Sequence, residues 1–407
     1  MGTSMLNTPK MRFPEFDGKL QSSLLGEIAS FSKGKGISKA DIEYDGQTEC
    51  IRYGELYTEY AETISEIVSK TNISTNELVL SEFNDVIIPA SGETSIDIAT
   101  ASCVLKDGVA LGGDLNIIKS ELNGVYLSYY LNTAKKLDIA NLAQGNSVVH
   151  LYPSQLRTLK INFPEKTEQQ KIASFLTSVD VKIQHFTKKK TLLEQYKKGV
   201  MHKIFKQEIR FKDENGNEFP EWKEKRLGDI GESFIGLTYS PDDVVEVGGV
   251  LILRSSNIQN SILTFDNNVY VDAKISDKNF VKENDILICA RNGSKNLIGK
   301  SALIKKADEG YAFGAFMTIY RSEFNKYLFH LLQTNLFYEQ VNQHLGATIN
   351  QITTKSLNSF KFQIPAKPEQ TKIENFLSAL DTKINHTNSL LEKTKLWKKG
   401  LLQQLFV

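Results

Sequence analysis

Pro164-Glu165-Lys166-Thr167-Glu168-Gln169-Gln170-Lys171-Ile172-Ala173-Ser174-Phe175-Leu176 is written twice in this chain. It returns 201 residues later as Pro365-Ala366-Lys367-Pro368-Glu369-Gln370-Thr371-Lys372-Ile373-Glu374-Asn375-Phe376-Leu377. The register holds downstream, where Lys197-Lys198-Gly199 matches Lys398-Lys399-Gly400 and Phe205 matches Phe406. Upstream, Gly145-Asn146-Ser147 matches Gly346-Ala347-Thr348. Near the amino end the offset drifts, with Phe13-Pro14-Glu15-Phe16 answered by Phe219-Pro220-Glu221-Trp222. The ends of the repeat agree and the middles differ. Such a chain reads as one scaffold presenting two different readers.

From the repeated motif onward the pattern is helical. Apolar residues recur at Leu176, Val179, Ile183, Phe186 and Leu193, and in the second copy at Leu377, Leu380, Ile384 and Leu391, followed by Thr394. Spacings of three and four keep them on one helix face. Thr167 is placed to cap the first helix with Gln170 completing a capping box, and Pro368 suits the first turn of the second. No proline or glycine interrupts either run before Gly199 and Gly400. About 40 residues make a helix of roughly 60 Å. A stripe that long needs a partner, and the simplest partner is its own repeat.

The preceding sections, about 150 residues each, are mixed. Asn84–Ala90 and Asn284–Ala290 read as matching buried strands, as do Leu111–Ile118 and Phe313–Tyr320, each of the latter followed by a helical stretch. An α+β domain around a twisted sheet is expected in each half.

Composition is that of a soluble globular protein, with 41% hydrophobic and 24% charged residues. No apolar run reaches the ~18 residues that suggest a membrane span, and the first residues lack the features of a secretory signal. Cys50, Cys103 and Cys289 are few, scattered and odd in number, as expected of buried thiols in a reducing compartment. The expected location is cytoplasmic. The net charge is +1, unevenly spread: residues 41–130 hold 16 acidic and 4 basic residues, and residues 180–210 hold 9 basic and 3 acidic.

Catalytic signatures do not assemble. Gly293-Ser294-Lys295-Asn296-Leu297-Ile298-Gly299-Lys300-Ser301 has five residues between its glycines, where a phosphate-binding loop has four. A strand-to-strand loop is the better reading. The six histidines form no pair at metal-binding spacing and no Cys-x-x-Cys occurs, so no metal site is expected.

Over essentially its whole length the chain resembles the specificity subunits of type I restriction-modification enzymes. The resemblance rests on the duplicated Pro164–Ile172 and Pro365–Ile373 motif and on the segments around Phe13 and Phe219 that open each half. It implies an α+β fold with two target-recognition domains (1–163 and 209–364) and two long antiparallel helices (164–208 and 365–407). The helices would form a coiled-coil-like spacer in a circular, pseudo-two-fold organisation. Each recognition domain would read one half of a bipartite site in double-stranded DNA. The helices would set the spacing and dock two methyltransferase (modification) subunits, with Lys197, Lys198, Lys398 and Lys399 as candidate docking residues. The chain itself would be non-catalytic and bind no cofactor. S-adenosylmethionine, ATP and Mg²⁺ would belong to the modification and the restriction or translocase subunits.

Candidate DNA contacts follow from residue chemistry. Lys33, Lys35 and Arg52 lie in or beside the acidic stretch, and Arg157 follows it. Arg254, Asn257, Arg291, Asn292, Lys295 and Lys300 fall near expected strand ends of the second domain. Arginine and asparagine there suit guanine and adenine edges, although each could equally be a solvated loop residue. The repeated Gly145-Asn146-Ser147 and Gly346-Ala347-Thr348 suit close approach to a phosphate, or a turn leading into the last strand. Two other readings stay open on the residues alone: a stand-alone DNA-binding or anti-restriction protein, and a helical interaction scaffold.

Overall fold

Two long helices, Lys166–Phe205 and Lys367–Leu405, contain 40 and 39 residues. In the computed structural model, residues 9–145, 148–345 and 350–406 are described. By contacts the chain forms two units, one comprising residues up to Thr187 with Asn388 onward, the other Lys188–Thr387. Each unit therefore holds one half of each long helix, a division by contact that cuts across the division by element. Gly199 and Gly400 lie inside the helices, which run on beyond them. The first ends two residues before Gln207, whose φ of 61° turns the chain.

In the first unit a five-stranded sheet has the spatial order 29–33, 115–120, 86–89, 102–104 and 63–64. Its pairs are antiparallel except the last. A smaller sheet joins 69–71, 48–51 and 110–111. The second unit repeats the scheme with 232–235, 317–321, 286–289 and 301–303, all antiparallel. The expected strand equivalents occupy matching places: Ile117 faces Ile87 in one sheet, and Ile319 faces Leu287 in the other. Asn84 and Asn284, just before the matched strands, both have positive φ, a conformation asparagine tolerates better than most residues. Cys50, Cys103 and Cys289 are buried, and burial pushes their thiols up to about 11, 12 and 11, so they stay protonated.

Each unit buries its helix segments against its sheet. Ile172, Leu176 and Val179 share a core with Tyr126, Tyr130, Leu401, Leu405 and Phe406. Met201, Ile204 and Phe205 share another with Tyr327, Ile373, Leu377 and Leu380. The segments are antiparallel within each unit. In the first, Glu168 and Ile172 lie by Leu405 and Phe406, while Asp180 meets Lys398. In the second, Lys197 meets Asp381.

The repeated motif is a clasp for the segment that opens each half. Glu168 receives Arg12 Nε and Nη2 at 2.7 and 2.6 Å; Glu369 receives Arg210 at 3.2 and 2.9 Å. Gln169 and Gln370 donate to the carbonyls of Pro164 and Pro365, both at 2.9 Å. Lys171 pairs with Glu15 and Lys372 with Glu214. Phe13 packs edge-on to Phe175 and Phe211 to Phe376.

Two expectations need correcting. The true counterpart of Arg12-Phe13 is Arg210-Phe211. The Phe219-Pro220 echo instead supplies carbonyls to Arg210 Nη2, because a turn held by Asp213 is interposed in the second copy. Thr167 sits inside the first helical turn and hydrogen-bonds Glu165, so it is not the cap. Gln170 reaches Ser174 and Asn123 rather than back to the cap.

Candidate nucleic-acid interface

In each unit the chain leaves an edge strand through a glycine pressed against another backbone. A Cβ on Gly34 would lie 2.0 Å from the Gly112 carbonyl oxygen, and one on Gly236 2.1 Å from that of Gly314. No side chain fits there without backbone movement. Beyond these crossings open two clefts, of about 870 Å³ in the first unit and about 680 Å³ in the second. They are repeat equivalents. Arg52, Gly112 and Asp114 line the first, and Arg254, Gly314 and Phe316, each 202 residues on, line the second.

Both arginines begin the same turn. The Arg52 amide donates to Glu55 Oε2 and the Arg254 amide to Asn257 Oδ1, each at 3.0 Å. Their side chains then diverge. Glu55 Oε1 accepts Arg52 Nε and Nη2 at 3.0 and 2.7 Å and also Ser69 Oγ at 2.7 Å. Neutral Asn257 forms no such pair, and its own amide donates to the Thr264 carbonyl. Arg254 Nη2 donates to the Asn267 carbonyl at 3.1 Å, while its Nε is buried without a partner.

The flanks diverge as well. Ala90 donates to the Asp114 carbonyl, and Ala290 and Arg291 both donate to that of Phe316. The Arg291 guanidinium lies 5.1 Å from the centre of the Phe316 ring, which is 56% exposed. Ser91 stands at the corresponding place in the first unit. Asp41, Glu55 and Asp114 line the first cleft beside Lys39 and Arg52; among the described residues lining the second there is no carboxylate.

The other candidates are placed unevenly. Lys33 lies over the Tyr152 ring at 5.3 Å, and Lys35 is exposed on the rim of the Gly34 crossing. Arg157 packs over Phe31, and its carbonyl accepts from Gly26, beside the 21–24 and 160–163 strand pair. Asn257 is corrected: it is 1% exposed with both amide ends bonded, so it holds the turn and is not free to meet a base. Asn292 is also committed, to Ser255 Oγ and the Ser294 amide. Lys295 opens a short turn between strands 286–289 and 301–303, and Lys300 follows it. Gly145 has φ +128°; Asn146, Ser147, Gly346 and Thr348 lie outside the described residues. Lys197 and Lys398 are tied within their own units, while Lys198 and Lys399 are exposed.

Sequence reading missed the aromatic lining, chiefly Tyr53, Tyr57, Tyr239 and Phe316. The signal available was the 202-residue offset between Arg52 and Arg254, each followed three places on by a turn-holding acceptor. Part of the acidity of 41–130 is paired within the first unit: Glu49 with Lys106, Glu55 with Arg52, Glu82 with Lys119 and Glu62 with Lys398.

The type I restriction modification DNA specificity domain matches residues 18–195 and again 220–395. The chain belongs to this family. As a type I restriction-modification specificity subunit it carries two recognition domains in tandem. It is 24% identical to the MjaVIII specificity subunit of Methanocaldococcus jannaschii, over 94% of this chain and 90% of that one. It is 29% identical to the EcoKI specificity subunit of Escherichia coli, over 39% of this chain and 36% of that one. In fold it is similar to the type I restriction-modification S subunit from M. genitalium, with a TM-score of 0.65, 17% identity, and 98% and 99% of the two chains covered. No described helix is long and apolar enough to cross a membrane.

Proposed function

We propose that this chain addresses a type I restriction-modification complex to a bipartite site in double-stranded DNA, one half-site per recognition domain. The observation that carries the reading is the pair of repeat-equivalent clefts: one frame, set by Gly34–Gly112 and Gly236–Gly314, lined by different side chains. A duplicated frame with divergent lining is what two readers of different sequences require, because phosphate contacts position a protein and base contacts specify. A helical scaffold with incidental DNA binding would have no use for it.

On this reading the helices dock two modification subunits, which methylate adenine N6 with S-adenosylmethionine. Restriction subunits with ATP and Mg²⁺ complete the assembly in the cytoplasm. Methylome sequencing of a host with and without the chain tests the proposal. One bipartite methyladenine motif should depend on it. Replacing residues 230–360 by those of a relative should change one half of that motif alone. A motif altered in both halves, or in neither, would overturn the two-reader assignment.

A further inference from the structure

The two clefts hold equivalent arginines in opposite states. Glu55, 5% exposed, binds the Arg52 guanidinium through two nitrogens and cancels its charge. Asp41 and Asp114 add further negative charge to the same cleft. Arg52 thus serves the turn and its link to Ser69. A base edge made of acceptors meets an unfavourable field there.

Arg254 keeps its charge. The substitution of Asn257 for the glutamate removes the counter-ion, and no described residue lining that cleft is acidic. The Asn267 carbonyl takes one Nη2 proton, and the Asn257 cap fixes the Arg254 backbone. The other Nη2 proton and both protons of Nη1 have no partner among the described residues, leaving a planar two-pronged end. Buried donors ordinarily find acceptors, yet Arg254 Nε has none. Arg291, held over Phe316 on the flank, strengthens the positive field.

We propose that Arg254 is the specificity-determining residue of the second cleft and takes the N7/O6 edge of a guanine, while its repeat equivalent Arg52 reads no base. The proposal rests on the DNA-reading function above. An arginine whose backbone and one nitrogen are already fixed loses little freedom on presenting two parallel N–H groups, and guanine is the base with two acceptors on its major-groove edge.

The test uses the complete complex in its host, with methylome sequencing and a methylation assay on oligonucleotides substituted at each position. Arg254→Gln should lower discrimination at a single guanine position of one half-site by roughly 5- to 150-fold and leave the other half intact. Arg52→Gln should lower the unfolding midpoint without changing any letter of the motif. An unchanged motif in Arg254→Gln would overturn the assignment. So would a loss uniform across all oligonucleotides at an unchanged unfolding midpoint, which marks a phosphate contact. If Arg254→Gln lowers the midpoint more than Arg52→Gln does, the residue is structural and the assignment is again overturned. A wild-type chain yielding no bipartite motif would sink the proposed function itself, a result distinct from all of these.

Discussion

Lys197 Nζ lies 2.6 Å from Asp381 Oδ1, joining the two long helices inside the second unit. The same bond recurs in the first unit between their repeat equivalents, Lys398 and Asp180, at 2.7 Å. The pairs are reinforced differently. Lys398 also meets Glu62 and lies over the Tyr129 ring, whose hydroxyl donates to Asp180. Lys197 meets Gln333 instead. Asp381→Asn should therefore lower stability by about 1.5–3 kcal/mol. Chemical denaturation checks this, and Lys197→Asp with Asp381→Lys should recover part of the loss. Charge reversal at exposed Lys198 or Lys399 should leave the midpoint in place, so a fall in co-purified modification subunit would report docking.

Glu369 is fully buried and accepts from Arg210 and from Trp222 Nε1. Glu369→Gln keeps the shape and removes the buried charge that Arg210 grips, leaving Arg210 with exposed Glu221 and the Phe219 and Pro220 carbonyls. Breaking a buried pair from one side costs about 3–5 kcal/mol, and denaturant unfolding of the variant should show a loss of that size. A loss below ~1 kcal/mol would mean that the clasp does not hold the second half.

His330 gives the second unit an acid-sensitive point. It is 2% exposed, and burial first, then nearby Lys197, pulls its pKa down to about 3. Asp381, 3.8 Å away, does not offset them. Above the unfolded value near 6.5 both states are neutral and no stability is lost. As pH falls below it the unfolded chain binds a proton that the folded one refuses, so stability declines until about pH 3. Midpoints measured from pH 7.5 to 4 should slope more gently in His330→Tyr, which installs the residue found at equivalent Tyr129. An unchanged slope would assign the acid sensitivity elsewhere.

Gly236→Ala should be costly for a geometric reason. Its methyl group would stand 2.1 Å from the Gly314 oxygen, a backbone atom that cannot rotate away. Overpacking of this kind costs about 1–3 kcal/mol. Gly293→Ala, with open space around it, is the control. Circular dichroism melts of the two should differ clearly, and equal melts would mean the crossing relaxes freely.

The repeat made the frame legible. Residues 201 apart in both helices could be aligned by eye, and strands 86–89 and 286–289 announced themselves as apolar runs after Asn-Asp. The site was less so. Nothing in the letters says that Glu55 closes onto Arg52 with Ser69 holding the same carboxylate, or that Asn257 is buried against the Thr264 carbonyl, since Ser69 and Thr264 lie outside the local turn. The Phe-Pro-Glu echo misled because it is a four-residue likeness, whereas Arg12 and Arg210 are matched by what they grip. The shared Arg-Phe dipeptide was in the letters, and the positions of Glu168 and Glu369 in space show that it is the equivalent pair.

Leu401, Leu405 and Phe406 belong to the same interior as Leu25, Tyr126 and Tyr130. A ribosome therefore makes the entire second recognition domain before the first can be sealed. In the interval Tyr126 and Tyr130, against which Phe406 finally packs at 5.6 and 5.9 Å, lack their cover. Exposed apolar surface of this kind invites chaperones and aggregation. The second unit, built from Lys188–Thr387 alone, carries no such debt to later residues. Birth order and completion order are thus reversed: the domain that emerges first is finished last.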